Sequence, residues 1–208
     1  MNKKEQRIKN GFLYEENGWK YISIKGKPKE RGYAYGYLCA KEFKEIQNTL
    51  PFIMMEKYGQ TWDFFIKKVC NDFKKMTQDE FPEFYEEMEG ITDGCNANGC
   101  KTTIDEIITW NFYLSIPYWY SFISDDHNGK EGGANDRCSA FMAVGDWTED
   151  GKIVCAHNSF ADFIDGQFFN IVLDLNPDKG HRFIMQTSPC WIWSGSDVFV
   201  TAKSILHP

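Results

Sequence analysis

The sequence predicts an α+β protein with helices first and antiparallel strands afterwards, on three observations. Up to about residue 124, apolar residues recur every three or four positions. Beyond residue 138 they fall in short alternating runs bounded by turn residues. Between these parts lies a polar, glycine-rich stretch. The chain has 208 residues, enough for one large domain or two small ones. Its 42% hydrophobic and 25% charged residues are ordinary globular values, which excludes a disordered, collagen-like or coiled-coil chain. No apolar run approaches the roughly 18 residues of a membrane span. The start, MNKKEQRIKNGF, lacks the apolar core of a secretory signal, so a cytoplasmic location is expected.

Taken in order, Trp19–Ile24 alternates as a short strand. Tyr37, Leu38, Phe43, Ile46 and Leu50 mark a first helix that Pro51 is expected to interrupt. Trp62, Phe65, Ile66, Val69 and Phe73 form a second stripe. Thr77-Gln-Asp-Glu80 reads as a capping box opening a helix through Phe84, Tyr85 and Met88, with an end at Gly90 or Gly94. Thr103-Ile-Asp-Glu106 is a second cap, ahead of Ile107, Ile108, Trp110, Asn111 and Leu114. Residues 1–124 are thus a helical segment with one strand, and 125–137 a flexible linker. Residues 138–208 open a sheet: strands at Ser139–Val144 and Lys152–His157, then at Phe168–Leu175 and Arg182–Gln186, then at Val198–Thr201. Trp191 and Trp193 alternate as strand residues of the core. A further strand is due where the chain stops at Pro208, so the sheet is expected to be incomplete at that end.

Net charge is −7, from 23 basic and 30 acidic residues, and the basic residues are scattered among acids. That distribution excludes a nucleic-acid partner, which needs concentrated positive charge. Seven cysteines, an odd number without a signal sequence, read as free thiols rather than a disulfide framework. Cys95 and Cys100 lack a second ligand pair nearby, so no metal and no cofactor are expected.

Chemistry concentrates in Asn135–Phe163, NDRCSAFMAVGDWTEDGKIVCAHNSFADF. Cys138 stands where the linker becomes a strand, and Asp146–Gly151 supplies a hairpin turn. With Gly145 opposite Lys152, paired residue numbers sum to 297 and Cys138 lies opposite Ser159. Asn158 and Asp162 then flank the thiol. On these grounds alone Cys138 reads as an ordinary strand cysteine.

This segment resembles the N-terminal-nucleophile (Ntn) hydrolases of the isopenicillin N acyltransferase group, with which the phospholipase B-like proteins share a fold. The junction Arg137–Cys138 matches the site at which those precursors cut themselves, and Cys138-Ser-Ala fits the new N-terminus. His157-Asn-Ser-Phe-Ala-Asp-Phe163 is similar to the motif after the first hairpin in phospholipase B-like members, and acyltransferase members carry an Asn-x-Asp element there. Asp162 stands two residues later than that spacing. Gly32-Tyr-Ala-Tyr-Gly36 resembles a glycine-bracketed element of the group, with Tyr35 where a histidine is common. The resemblance implies an Ntn αββα sandwich of antiparallel sheets. Cys138, Asn158 and Asp162 are its implied catalytic residues, and His157 and Ser159 its candidate substrate or oxyanion contacts.

The implied activity is autoprocessing followed by cleavage or transfer of the acyl group of a small nonpeptide amide. A free α-amine, with pKa about 7.7–8.0, accepts a proton near neutrality, and a thiol near 8.5 is readily ionised. An acyl-ester hydrolase of the phospholipase B-like kind is the alternative enzyme. A noncatalytic binding or assembly module is the alternative class. The expected partner is a small acyl-amide or acyl-ester substrate, and the oligomeric state is left open.

Overall fold

The computed structural model describes residues 4–124, 138–195, 199–201 and 205–206. Three strands open the chain: β1 (Lys4–Ile8), β2 (Gly11–Glu16) and β3 (Trp19–Gly26). Four helices follow, α1 (Pro28–Tyr58), α2 (Trp62–Glu80), α3 (Pro82–Ala97) and α4 (Ile104–Asn111). A 3-10 turn, Tyr113–Ser115, leads into α5 (Ile116–Ile123). Then come the hairpin β4 (Ser139–Gly145) and β5 (Gly151–Asn158), the single turn α6 (Phe163–Gly166), β6 (Ile171–Pro177) and β7 (Phe183–Thr187). Two short strands, β8 (Phe199–Thr201) and β9 (Ile205–Leu206), end the described chain. The class is α+β. The segment expected to be a flexible linker lies outside the described residues.

The main sheet has seven strands in the order β1-β2-β3-β6-β7-β8-β9, and β4-β5 form a separate pair. The sheet is mixed, a correction to the expectation of purely antiparallel sheets, because β3 and β6 run parallel from Lys20↔Ile171 to Gly26↔Pro177. No hairpin joins these two strands; all the helices and β4-β5 intervene, and such a long excursion permits parallel alignment. The other correction is β1-β2, a hairpin ahead of the one expected strand.

Register lines up one face of this sheet. Leu13 opposes Ile22, Ile22 lies beside Leu173, and Leu173 opposes Met185. All four are buried. This row faces α1, and Gly11 lets the helix approach: a Cβ there would meet Ala34 and Leu38 at 2.8–3.0 Å. α1 runs straight through Pro51, which is exposed, while Leu50, Ile53 and Met54 beside it are buried. Burying three large side chains, at about 1.5–3 kcal/mol each, outweighs the roughly 3 kcal/mol that an interior proline costs.

Two further expectations change at α2 and α3. Thr77 does not cap; its hydroxyl donates to the Phe73 carbonyl at 2.9 Å within α2, and the new helix starts at Pro82. Pro82 fits a first helical position, where no N–H is needed. Gly90 and Gly94 do not end α3. They face Gly32 and Gly36 of α1, and a Cβ at any of the four would overlap a backbone carbonyl of the other helix. The glycine-bracketed element is therefore a helix-crossing device. Beside it, the buried Arg31 guanidinium bonds Glu87 and Glu83, each at 2.8 Å. Burial pushes the Glu87 carboxyl up against the pull of Arg31. Thr103 caps α4 as expected, accepting from the Glu106 N–H at 3.2 Å. Among the described residues no helix is long and apolar enough to cross a membrane.

Candidate active site around Cys138

The hairpin pairs as its turn predicts over most of its length. Ser139↔Asn158, Ala140↔His157, Phe141↔Ala156, Met142↔Cys155 and Ala143↔Val154 all follow one register, and its continuation sets Cys138 against Ser159. A shift between Ala143 and Gly145 brings Gly145 opposite Gly151 instead of Lys152. Both glycines have positive φ, 64° and 70°, so the tight turn absorbs the irregularity at little cost. The pairing at the thiol end is unaffected.

Of the seven cysteines, all described and all free, only Cys138 is exposed. Its Sγ accepts the backbone N–H of Phe160 at 3.4 Å. Burial drives the alternatives away from reactivity: the Cys190 thiol is pushed up to about 11, and so is that of Cys70. Cys155, on β5, is half-buried.

Two cavities flank the segment after β5. One, of about 680 Å³, is lined by Cys138, Ser159, Phe160 and Asp162 together with Ser115, Tyr118 and Trp193. The other, of about 1030 Å³, separates β5 from the outer face of the main sheet and is lined by His157, Asn158, Trp19, Val172 and Gln186. Ser159, Ala161 and Asp162 border both. Cys138, Ser159 and Asp162 thus share a cavity, whereas His157 and Asn158 line its neighbour. Alternation explains the division for Asn158: it pairs with Ser139, and position 138 takes the opposite face. The His157 Nδ1 and Ser159 Oγ lie 3.1 Å apart, within hydrogen-bond reach. Arg137 lies outside the described residues. Gly32–Gly36 lines neither cavity, and the buried Tyr35 hydroxyl donates to the Ser188 carbonyl at 2.8 Å.

Asn111, at the end of α4, and Trp193 supply another part of the Cys138 cavity wall. Trp191 and Trp193 do not lie on a strand: the Trp191 N–H donates to the Ser188 carbonyl in a turn, and Asn111 takes the backbone of Cys190 and Ile192 on either side of Trp191. The Asn111 side chain accepts from Ile192 N–H at 2.9 Å and donates to the Cys190 carbonyl at 3.0 Å. The indole of Trp193 donates to the Asn111 carbonyl at 3.1 Å, and that of Trp191 to the Trp110 carbonyl at 2.9 Å. Trp193 stacks on the fully buried Trp191 with centroids 4.2 Å apart, so the cavity rests on a rigid aromatic support.

Asp162 is held by an ion pair. Its carboxylate meets Lys57 Nζ at 2.5 Å, and Asp165 meets the same ammonium at 3.3 Å. The Tyr113 hydroxyl donates to the other Asp165 oxygen at 2.7 Å. Asp162 also starts α6, its carbonyl accepting from Gly166 N–H at 2.8 Å. Lys57, Asn111, Tyr113 and Trp193 carry no local signal of a site; each reaches it from a distant part of the chain. Among the described residues no cluster of His, Cys, Asp and Glu could hold a metal ion.

No family model matches the chain. It is similar to an uncharacterized protein of Archaeoglobus fulgidus, with 27% identity over 192 residues. That alignment covers 88% of this chain and 31% of the relative, so the chain spans about a third of the relative's length.

Proposed function

We propose that the protein is an autoprocessing cysteine hydrolase or acyltransferase of the N-terminal-nucleophile kind, acting on a small nonpeptide amide through a thioester on Cys138. The observation that carries this reading is an exposed thiol at the head of a strand, on a cavity wall, with a backbone N–H on its sulfur. In processing, the Cys138 sulfur attacks the Arg137 carbonyl carbon. The peptide C–N bond breaks and the thiol proton passes to the departing nitrogen. Water then cleaves the thioester, leaving an Arg137 carboxylate and a free Cys138 amine.

In turnover that amine takes the thiol proton. The thiolate attacks the substrate carbonyl, the amine product leaves with the proton, and water or a second amine resolves the thioester. The Phe160 N–H, 3.4 Å from the sulfur, orients the nucleophile. Ser159, on the same wall, is the side-chain candidate for the oxyanion, and one good donor there is worth about 3–4 kcal/mol. In this reading β4-β5 begins a second sheet facing the seven-stranded one, as in an αββα sandwich. A reducing cytoplasmic location accords with seven free thiols.

A second reading, hydrolysis of a lipid ester, has one observation in its favour. An apolar groove of about 360 Å³, lined by Phe73, Phe84, Phe112 and Ile192, shares Asn111 and Trp193 with the Cys138 cavity.

Denaturing intact-mass measurement tests the proposal. Processing gives two masses, for residues 1–137 and 138–208, and Cys138→Ala gives one. A single uncleaved mass for the unaltered chain after prolonged incubation overturns autoprocessing and favours a binding module. Acyl-amide and lysophospholipid panels then separate the two enzyme readings.

A further inference from the structure

We propose that Lys57 is a positioning residue of the Cys138 site, holding residues 159–166 against the thiol by bridging Asp162 and Asp165. The inference rests on the reading of Cys138 as the reacting group. Apart from Ile164, which packs half-buried against the core, the segment has few apolar contacts to hold it. α6 is four residues long, none of them buried, and a single turn is not stable by itself. Phe160 and Phe163 are largely exposed. Within this segment lie the backbone N–H that reaches the Cys138 sulfur, the Ser159 hydroxyl and the Asp162 carboxylate.

Its polar anchors to the helical layer are the Lys57 ammonium, on both carboxylates, and the Tyr113 hydroxyl on Asp165. Lys57 stands in the last turn of α1, next to the buried Ile53 and Met54 that seat that end of the helix in the core. The Lys57 side chain is 31% exposed, against 11% for Asp165 and 55% for Asp162, so the Asp165 arm of the bridge is the sheltered one. The groups around the ammonium are Asp162, Asp165 and the Tyr58 and Tyr113 hydroxyls. Without Lys57, two carboxylates three residues apart repel each other and lose their link to α1. They also add uncompensated negative charge to the wall that Cys138 shares, which disfavours a thiolate.

The test is the rate of Cys138 alkylation by iodoacetamide across pH, read by peptide mass spectrometry on the full chain. Lys57→Met is compared with Lys57→Arg and with Lys75→Met, which removes only an exposed pair to Asp79. Lys57→Met is expected to slow Cys138 alkylation at pH 7.5 by about threefold or more, because residues 159–166 no longer hold the Phe160 N–H at its sulfur. Cys155 and Cys70 should react unchanged, and Lys57→Arg should restore the rate. An unchanged Cys138 rate in a folded Lys57→Met protein overturns the proposal, as does an equal effect of Lys75→Met. Slowed alkylation in a protein that turns over no acyl substrate upholds the positioning role and removes the proposed function. Turnover with an alkylation rate indifferent to Lys57 does the reverse.

Discussion

The sheet face beneath α1 and the β4-β5 hairpin are built from similar residues in opposite surroundings. Leu13, Ile22, Leu173 and Met185 form one buried row. In the hairpin Phe141 is 60% exposed, and Met142, Val144, Ile153 and Val154 are each about half exposed. Two strands alone are marginal, and this pair has no third strand among the described residues. Apolar alternation therefore identifies a strand without saying what covers it. In this protein stability is concentrated in the first region, while the thiol with the most accessible chemistry sits on the second.

Substitutions that probe this contrast should rank steeply. Trp191→Ala removes a fully buried indole that supports Trp193 and should cost about 3–5 kcal/mol in urea unfolding. Gly36→Ala drives a methyl into the Ile91 carbonyl and should cost about 1–3 kcal/mol by the same measurement. Phe141→Ser, in the hairpin, should change global stability by less than about 0.5 kcal/mol. A hairpin substitution as costly as Trp191→Ala would erase the distinction between the regions.

Acid titration sharpens it further. Arg182 beside Asp174 holds that carboxyl below its ordinary value, despite the opposing effect of burial. A carboxyl with a depressed folded pKa binds fewer protons folded than unfolded within that window. The stabilisation is thus present above about pH 4 and lost as pH falls through the folded value. Asp174→Asn should flatten the stability slope below pH 4, measured by thermal melts at stepped pH. Asp150, whose carboxyl Lys152 likewise lowers in the exposed hairpin turn, is the control, and Asp150→Asn should leave that slope nearly unchanged.

How much of this was legible depended on distance along the chain. The hairpin register could be read because Asp146–Gly151 closes it locally, and only the bulge at Gly145 escaped. The Thr103 cap was equally local. β1 was missed because KEQRI carries an edge strand's charges and little apolar alternation. Gly90 and Gly94 looked like helix ends because a glycine that stops a helix and one that admits a neighbour look alike in sequence. Only the matching pair on α1 distinguishes them. Within the site, the meeting of Cys138 with Ser159 and Asp162 was readable from the hairpin. The removal of Asn158 to the neighbouring cavity follows from strand parity, and Lys57 lies beyond any sequence rule, 108 residues from Asp165.

The parallel seam between β3 and β6 has a consequence for a chain cut ahead of Cys138. The two pieces would each contribute strands to one continuous sheet, with seven residue pairs aligned across the seam between them. Neither piece would own a complete core, since Ile22 and Leu173 come from different pieces. Separation would then require unfolding, and gel filtration would report an unchanged size. Reassembly would become a meeting of two molecules, so the melting temperature of the cut protein would rise with its concentration, while that of the uncut chain would not.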